Sequence, residues 1–168
     1  LTSASDSKAY DGEALMAEGS VSGLVGGETV TFATTGSQTL AGTSVNTYSL
    51  TWDGTAKQSN YTVSGDLGTL EVTKNQNAIT VVPQGATQVY DGTALEASGA
   101  DVYGLPTGFT LTAELSGSQT AAGWTYAEVS SYVIKDAAGN DVTDQFGNVS
   151  VGKNALTVTK RPVTLTSG

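Results

Sequence analysis

The octapeptide Lys8-Ala9-Tyr10-Asp11-Gly12-Glu13-Ala14-Leu15 returns as Gln88-Val89-Tyr90-Asp91-Gly92-Thr93-Ala94-Leu95, eighty positions further along. An echo at so long a period constrains the fold more than composition does, because a repeated segment folds as a repeated unit. The 168 residues are therefore read as two β repeats, 1-76 and 77-162, with 163-168 as the start of a truncated third and the whole as an excised piece. Units of this size bury only about 60–65 % of the surface their unfolded chains expose, enough for independent folding but without a large reserve.

From Val21 the copies run in step, with one residue more in the second. Gly23-Leu24 answers to Gly104-Leu105, Gly27 to Gly108, and Thr29-Val30-Thr31 to Thr110-Leu111-Thr112. Val30 and Phe32 alternate with threonines, as Leu111, Ala113 and Leu115 alternate with Thr110, Thr112 and Glu114, and a period of two is that of a half-buried strand. Gly36-Ser37-Gln38-Thr39 recurs as Gly117-Ser118-Gln119-Thr120 and leads into a strand carrying Tyr48, Leu50 and Trp52 in one copy, Tyr132 and Ile134 in the other. The next hairpin turns at Asp53-Gly54 or, with extra residues, at Asp136-Ala137-Ala138-Gly139-Asn140-Asp141; a solvated tip tolerates such an insertion.

Leu70-Glu71-Val72-Thr73-Lys74 and Leu156-Thr157-Val158-Thr159-Lys160 close the copies. The tail from Val163 to Gly168 resembles Ile79-Thr80-Val81-Val82, with Leu165 answering to Val81 and to Leu1. Glu13 to Glu18 is the one stretch that could pass for helix. It is too short to hold one without tertiary help and is read as strand or irregular edge. The expected fold is all-β: two tandem small β-sandwich, immunoglobulin-like repeats arranged end to end, each of six or seven short strands.

Seven basic against sixteen acidic residues give a formal charge of -9, which repels nucleic acid and anionic membrane surfaces. No apolar run is long enough for a membrane helix, so membrane insertion is not expected. With no cysteine and no histidine, the common nucleophile and base pairs and the usual zinc sites are unavailable. No catalysis and no cofactor are expected.

Only carboxylates remain. Asp11 and Asp91 are read as structural, in the turns Tyr10-Asp11-Gly12 and Tyr90-Asp91-Gly92, where aspartate bonds its own backbone and glycine supplies a positive φ. Asp136, Asn140, Asp141 and Asp144 crowd one hairpin as weak calcium candidates, but they lack the spacing of a calcium loop and suit a solvated tip better. Lys8 with Asn60 or Asn75 could be cast as an isopeptide pair, yet copy two has Gln88 for Lys8, and a surface lysine is the simpler reading.

What the copies do not share cannot be required by their common fold. Copy two alone has Tyr103, Phe109, Trp124 and Tyr126, where copy one has Ser22, Glu28, Thr43 and Val45. These rings are the candidate ligand-binding residues, since aromatic faces beside acids and amides grip sugars or anchor protein interfaces. The competing reading is that they fill a larger core or the joint between units.

The order Lys-x-Tyr-Asp-Gly, Gly-Leu-x-x-Gly-Glu-x-Val-Thr, Asn-Tyr-Thr-Val and Gly-Thr-Leu-x-Val-Thr-Lys, at Lys8 to Gly12, Gly23 to Thr31, Asn60 to Val63 and Gly68 to Lys74, resembles the YDG/MBG class of tandem repeats of bacterial cell-surface proteins and adhesins. Copy two departs from it at Gln88, Phe109 and Gln145-Phe146. The resemblance implies an extracellular, cell-surface or cell-wall attached stalk repeat without catalytic residues. Its partners would be neighbouring repeats of the same chain and, as an alternative function, a host glycan or protein. Because mucin-binding repeats of such proteins can be β-grasp-like, that fold is the alternative to a sandwich.

Overall fold

Apolar and hydroxyl side chains alternate in strands such as Thr110–Ser116, and the chain contains no α-helix. The computed structural model describes residues Leu1–Gly168, divided into units Leu1–Asn75 and Gln76–Gly168. Unit 1 contains β1 (Thr2–Ser3), β2 (Asp6–Ala9), β3 (Gly19–Ser20), β4 (Thr31–Thr34), β5 (Gly42–Val45), β6 (Tyr48–Thr51) and β7 (Thr69–Thr73). Unit 2 contains β8 (Ile79–Pro83), β9 (Ala86–Val89), β10 (Ala100–Tyr103), β11 (Thr110–Ser116), β12 (Gly123–Lys135), β13 (Val149–Val151) and β14 (Lys153–Thr159).

Unit 2 is a small sandwich of two sheets, ordered β10-β8-β13 and β11-β12-β14-β9. Period-two alternation sends Ile79 and Val81 inward from the first sheet and Ala127, Ile134, Leu156 and Val158 inward from the second, all buried. Unit 1 repeats the plan with shorter strands, ordered β1-β3, β2-β7-β5 and β4-β6, around Leu70, Val72 and Tyr10.

The units agree in register as well as in order. Parallel pairing sets Asp6 opposite Leu70 and Ala86 opposite Leu156, joining the entry segment of each unit to its last strand. Antiparallel pairing sets Gly42 opposite Val72 and Gly123 opposite Val158. In both, the entry segment breaks between its two halves, at Ala4-Ser5 and at Gln84-Gly85, and the second half joins the other sheet. Leu15 and Leu95 each make one bridge, to Gln38 and Gln119, so the helix-like stretch is irregular edge.

The differences are local. Where unit 1 has β5 and β6 parted by Asn46-Thr47, β12 runs unbroken for 13 residues. Glu114 faces Ser131 and Leu115 faces Val129, so Ser130 is an extra residue that bulges and donates its hydroxyl to Glu114 O at 3.0 Å. A β-grasp unit needs a helix packed across its sheet; the only helical pieces are three-residue 3-10 turns at Gln58–Asn60 and Thr143–Gln145, so that alternative lapses.

Candidate functional site

Both Tyr-Asp-Gly turns are built by their own residues. Gly12 and Gly92 have φ of 86° and 83°, the left-handed region that suits glycine. Asp11 Oδ1 accepts Lys8 Nζ and the Glu13 N–H, each at 2.9 Å, and these bonds, the lysine's foremost, hold its carboxyl below the usual carboxylate range. Asp91 Oδ1 accepts the Thr93 hydroxyl at 2.7 Å and its N–H at 2.8 Å, which lowers that carboxyl likewise. Carboxylates so engaged stay ionised and cannot serve as proton donors near neutral pH.

The turns differ in what surrounds them. The Tyr10 and Tyr90 N–H groups each donate to the closing strand, to Thr73 O and Thr159 O at 2.8 Å. The Tyr10 ring is then 2 % exposed, while Tyr90 is 43 % exposed. Lys8 is paired with Asp11, and the side-chain amide of buried Asn75 donates to Tyr10 O at 3.0 Å.

The acidic hairpin spends its oxygens on itself. Asp136 Oδ1 accepts the Ala138 and Asn140 N–H groups at 3.0 and 2.9 Å, and Oδ2 accepts Asn140 Nδ2 at 3.1 Å. Asp141 Oδ1 accepts the Thr143 hydroxyl at 2.6 Å and its N–H at 3.0 Å. Those bonds lower both carboxyls, through Asn140 for Asp136 and through Thr143 for Asp141. Asp144 is exposed, and no three acidic side chains converge.

The four rings singled out from copy two do not gather. Phe109 packs edge-on against Phe146, centroids 5.1 Å apart, and Phe146 is buried. Unit 1 has Glu28 and Tyr61 at those two positions, and there the Tyr61 hydroxyl donates to the Glu28 carboxylate. A ring contact and a hydrogen bond thus occupy the same place in the two units. Tyr103 is exposed at the end of β10, in the other sheet from Trp124 and Tyr126.

Trp124 and Tyr126 do form one surface. They are successive outward residues of β12, edge to face with centroids 5.1 Å apart, and Trp124 is 61 % exposed. Lys153 of β14 holds its Nζ 4.2 Å from the Tyr126 centroid. Beside Trp124 the sheet continues through Thr157 to Thr87, which makes a ring pair flanked by hydroxyls and one cation. The other notable side chain is one that motif reading passes over. Asn46 is fully buried, donating from Nδ2 to Ala4 O at 3.0 Å and Ala17 O at 2.9 Å, where unit 2 has Ala127. Only its departure from the repeat pattern could have signalled it.

Residues 1–71 match the family model described as MBG domain (YGX type). The first unit is an MBG-type repeat. No curated protein matches the chain. The MBG assignment suggests a surface-protein repeat, and the MBG repeat family is not a known enzyme family. The second unit repeats the strand register of the MBG unit at each of its sheet-closing pairs, despite Gln88, Phe109 and Phe146 at motif positions.

Proposed function

We propose that the chain is a spacer segment of a bacterial cell-surface adhesin-like protein, extracellular and wall-attached, in which repeats follow one another to carry a binding region outward, without catalysis. The observation that supports this reading is the register that two units of diverged side chains share at their sheet-closing pairs: what has been kept is the frame. In arrays of this kind stability is roughly a sum of per-unit and neighbour terms, so unit number can change without redesign. Nucleic acid is an unsuitable partner for a chain of charge -9.

The test is a display series with one, two and four copies of the chain between a wall anchor and an epitope tag. Antibody access to the tag should increase with copy number. Access that is the same for every member would sink the reading.

One observation favours a second function beside the first. The Trp124–Tyr126 pair is exposed and absent from unit 1, whose counterparts are Thr43 and Val45. Stacking of a sugar ring on Trp124, with Thr157 and Lys153 offering hydrogen bonds, would make unit 2 a binder of neutral glycans or of a host protein. A glycan array probed with the parent chain and with Trp124→Ala distinguishes the two functions: binding lost in the variant supports the binder, and no binding by either leaves the spacer alone.

A further inference from the structure

The outward row of β12 continues past the ring pair. Ala127 is fully buried, so Trp124, Tyr126 and Glu128 share the opposite face, and their partners on β14 are Thr157, Ala155 and Lys153. Thr87 of β9 widens the row at Thr157. At about 3.3 Å per residue, Trp124 and Glu128 lie about 13 Å apart along the strand, longer than a single sugar ring. In unit 1 the equivalent strand β5 stops at Val45, and the shared register puts Leu67 in place of Lys153, Glu71 in place of Thr157 and Thr47 in place of Glu128.

The polar groups of this face are unspent. The Trp124 indole N–H, the Tyr126, Thr87 and Thr157 hydroxyls and the Glu128 carboxylate make no hydrogen bond within the chain. Lys153 leans on the Tyr126 ring instead of on its strand partner Glu128, so an acid and an amine are presented together without being bridged. The carboxylates of the Tyr-Asp-Gly turns and of the acidic hairpin, by contrast, are consumed by their own loops.

At the Glu128 end the face meets an open cleft of about 510 Å³, lined by Glu128, Val129, Val151, Gly152 and Lys153. Volumes of that order accept small ligands. Val151, 51 % exposed, is an apolar wall of it. The corner that carries Val151 is fixed, because the Gly152 N–H donates to Val81 O at 2.7 Å and a Cβ on Gly152 would come within 3.0 Å of a Val82 methyl.

Resting on the glycan-binding function suggested for the Trp124–Tyr126 pair, we propose that its ligand is an unbranched, β-linked oligosaccharide of N-acetylated amino sugars. One ring stacks on Trp124 and an acetamido group of a later ring enters the cleft. A ring with equatorial substituents turns its C–H bonds to the indole and its hydroxyls to the rim, where Thr87, Thr157 and the Tyr126 hydroxyl stand. β-Linkage keeps successive rings in a ribbon, which follows a strand. An acetamido group has a methyl for Val151, an N–H for Glu128 and a carbonyl for Lys153, a set that a plain hydroxyl lacks. A sugar acid would face Glu128 in a chain of charge -9, and a free amine would put a second cation beside Lys153, whereas an uncharged ligand uses both groups. A protein partner suits the face less: two rings bury about 150–250 Å² each, well short of the roughly 800 Å² that a stable interface takes from each side.

The test is amide NMR of the full chain with N-acetylglucosamine, tri-N-acetylchitotriose and cellotriose. Tri-N-acetylchitotriose should shift the Trp124 indole N–H and the amides of Tyr126, Glu128, Gly152 and Lys153, and leave unit 1 unmoved. It should bind at least about tenfold more tightly than N-acetylglucosamine and at least about fivefold more tightly than cellotriose. Trp124→Ala should abolish binding of all three. Val151→Ser should weaken tri-N-acetylchitotriose toward the cellotriose value and leave cellotriose unchanged, a split that a general loss of structure would not produce. Equal affinity for monomer and trimer, equal affinity for the two trimers, or a Val151→Ser variant that weakens both alike would overturn the ligand assignment and leave sugar binding through Trp124 standing. No shift with any of the sugars at millimolar concentration would remove the ligand assignment and the glycan-binding function together.

Discussion

Asn46 performs in unit 1 a task that unit 2 does without. Its side-chain amide ties Ala4 O and Ala17 O, two carbonyls of separate segments, to the turn between β5 and β6. Asn46→Ala is sterically tolerable, since Ala127 fills the matching position, but it strips two acceptors of their donor. The expected cost is about 1–3 kcal/mol, the penalty for partly buried groups left unpaired. Each unit has one tryptophan, Trp52 or Trp124, so a urea titration of the Trp124→Phe background reads unit 1 alone and checks the loss. The Glu28–Tyr61 bond invites a second measurement. The carboxylate beside it raises the Tyr61 hydroxyl above its ordinary 10.0, so the stability that bond adds is complete below pH 10 and is lost as pH rises through the higher folded value. In an ultraviolet titration Tyr61 should ionise late, and Glu28→Gln should bring it back toward 10. Neither residue was legible as a partner in the sequence. Asn46 sits in no motif, and Glu28 and Tyr61 are 33 positions apart, with nothing in either copy to say that Phe109 and Phe146 are the pair that replaces them.

At the scale of elements, the Tyr-Asp-Gly turns share a backbone and differ in burial. Tyr10→Ala empties an interior site and should cost about 3–5 kcal/mol, whereas Tyr90→Ala, on a half-open ring, should cost under about 1 kcal/mol. Urea midpoints read through Trp52 and Trp124 compare them directly. Acid should act on both turns. Asp11 and Asp91 have folded values below 3.8, so their contribution is present above that pH and is lost as pH falls through the depressed folded values. Melts at pH 7 and pH 2.5 should differ less for Asp91→Ala than for the parent; an unchanged difference would mean that the Thr93 bonds carry no stability. The longer strands could be read in advance, because β7, β11 and β14 alternate over five to seven residues and period two is conspicuous at that length. Strands β1 and β3, of two residues each, could not be read: no periodicity exists over two positions, and pairing alone defines them. The bulge at Ser130 was hidden for a related reason, since an extra residue inside a run of thirteen leaves no mark in composition. The oxygens of the acidic hairpin could be counted in the sequence, while their mutual bonds could not.

For the whole molecule, the eighty-residue echo supplied the architecture before any strand was assigned, because duplication carries the frame of pairings with it. It could not supply the ring surface of Trp124 and Tyr126. The difference between Thr43 and Trp124 marks a position free to change, and only the outward direction of β12 separates Trp124 from the packed Phe109. The energetic counterpart of duplication is that each unit has its own fully buried residues, Leu70 in the first and Ile134 in the second. If stability is a sum over units with a neighbour term, Ile134→Ala should lower the Trp124-reported free energy of unfolding by about 2–5 kcal/mol. It should move the Trp52-reported value by no more than about 0.5 kcal/mol, the margin within which distant sites add. Leu70→Ala should give the mirror result. Equal displacement of both signals by either substitution would mean that the chain unfolds as one cooperative body, and a spacer whose length is adjusted by adding or removing units could not then be built from it.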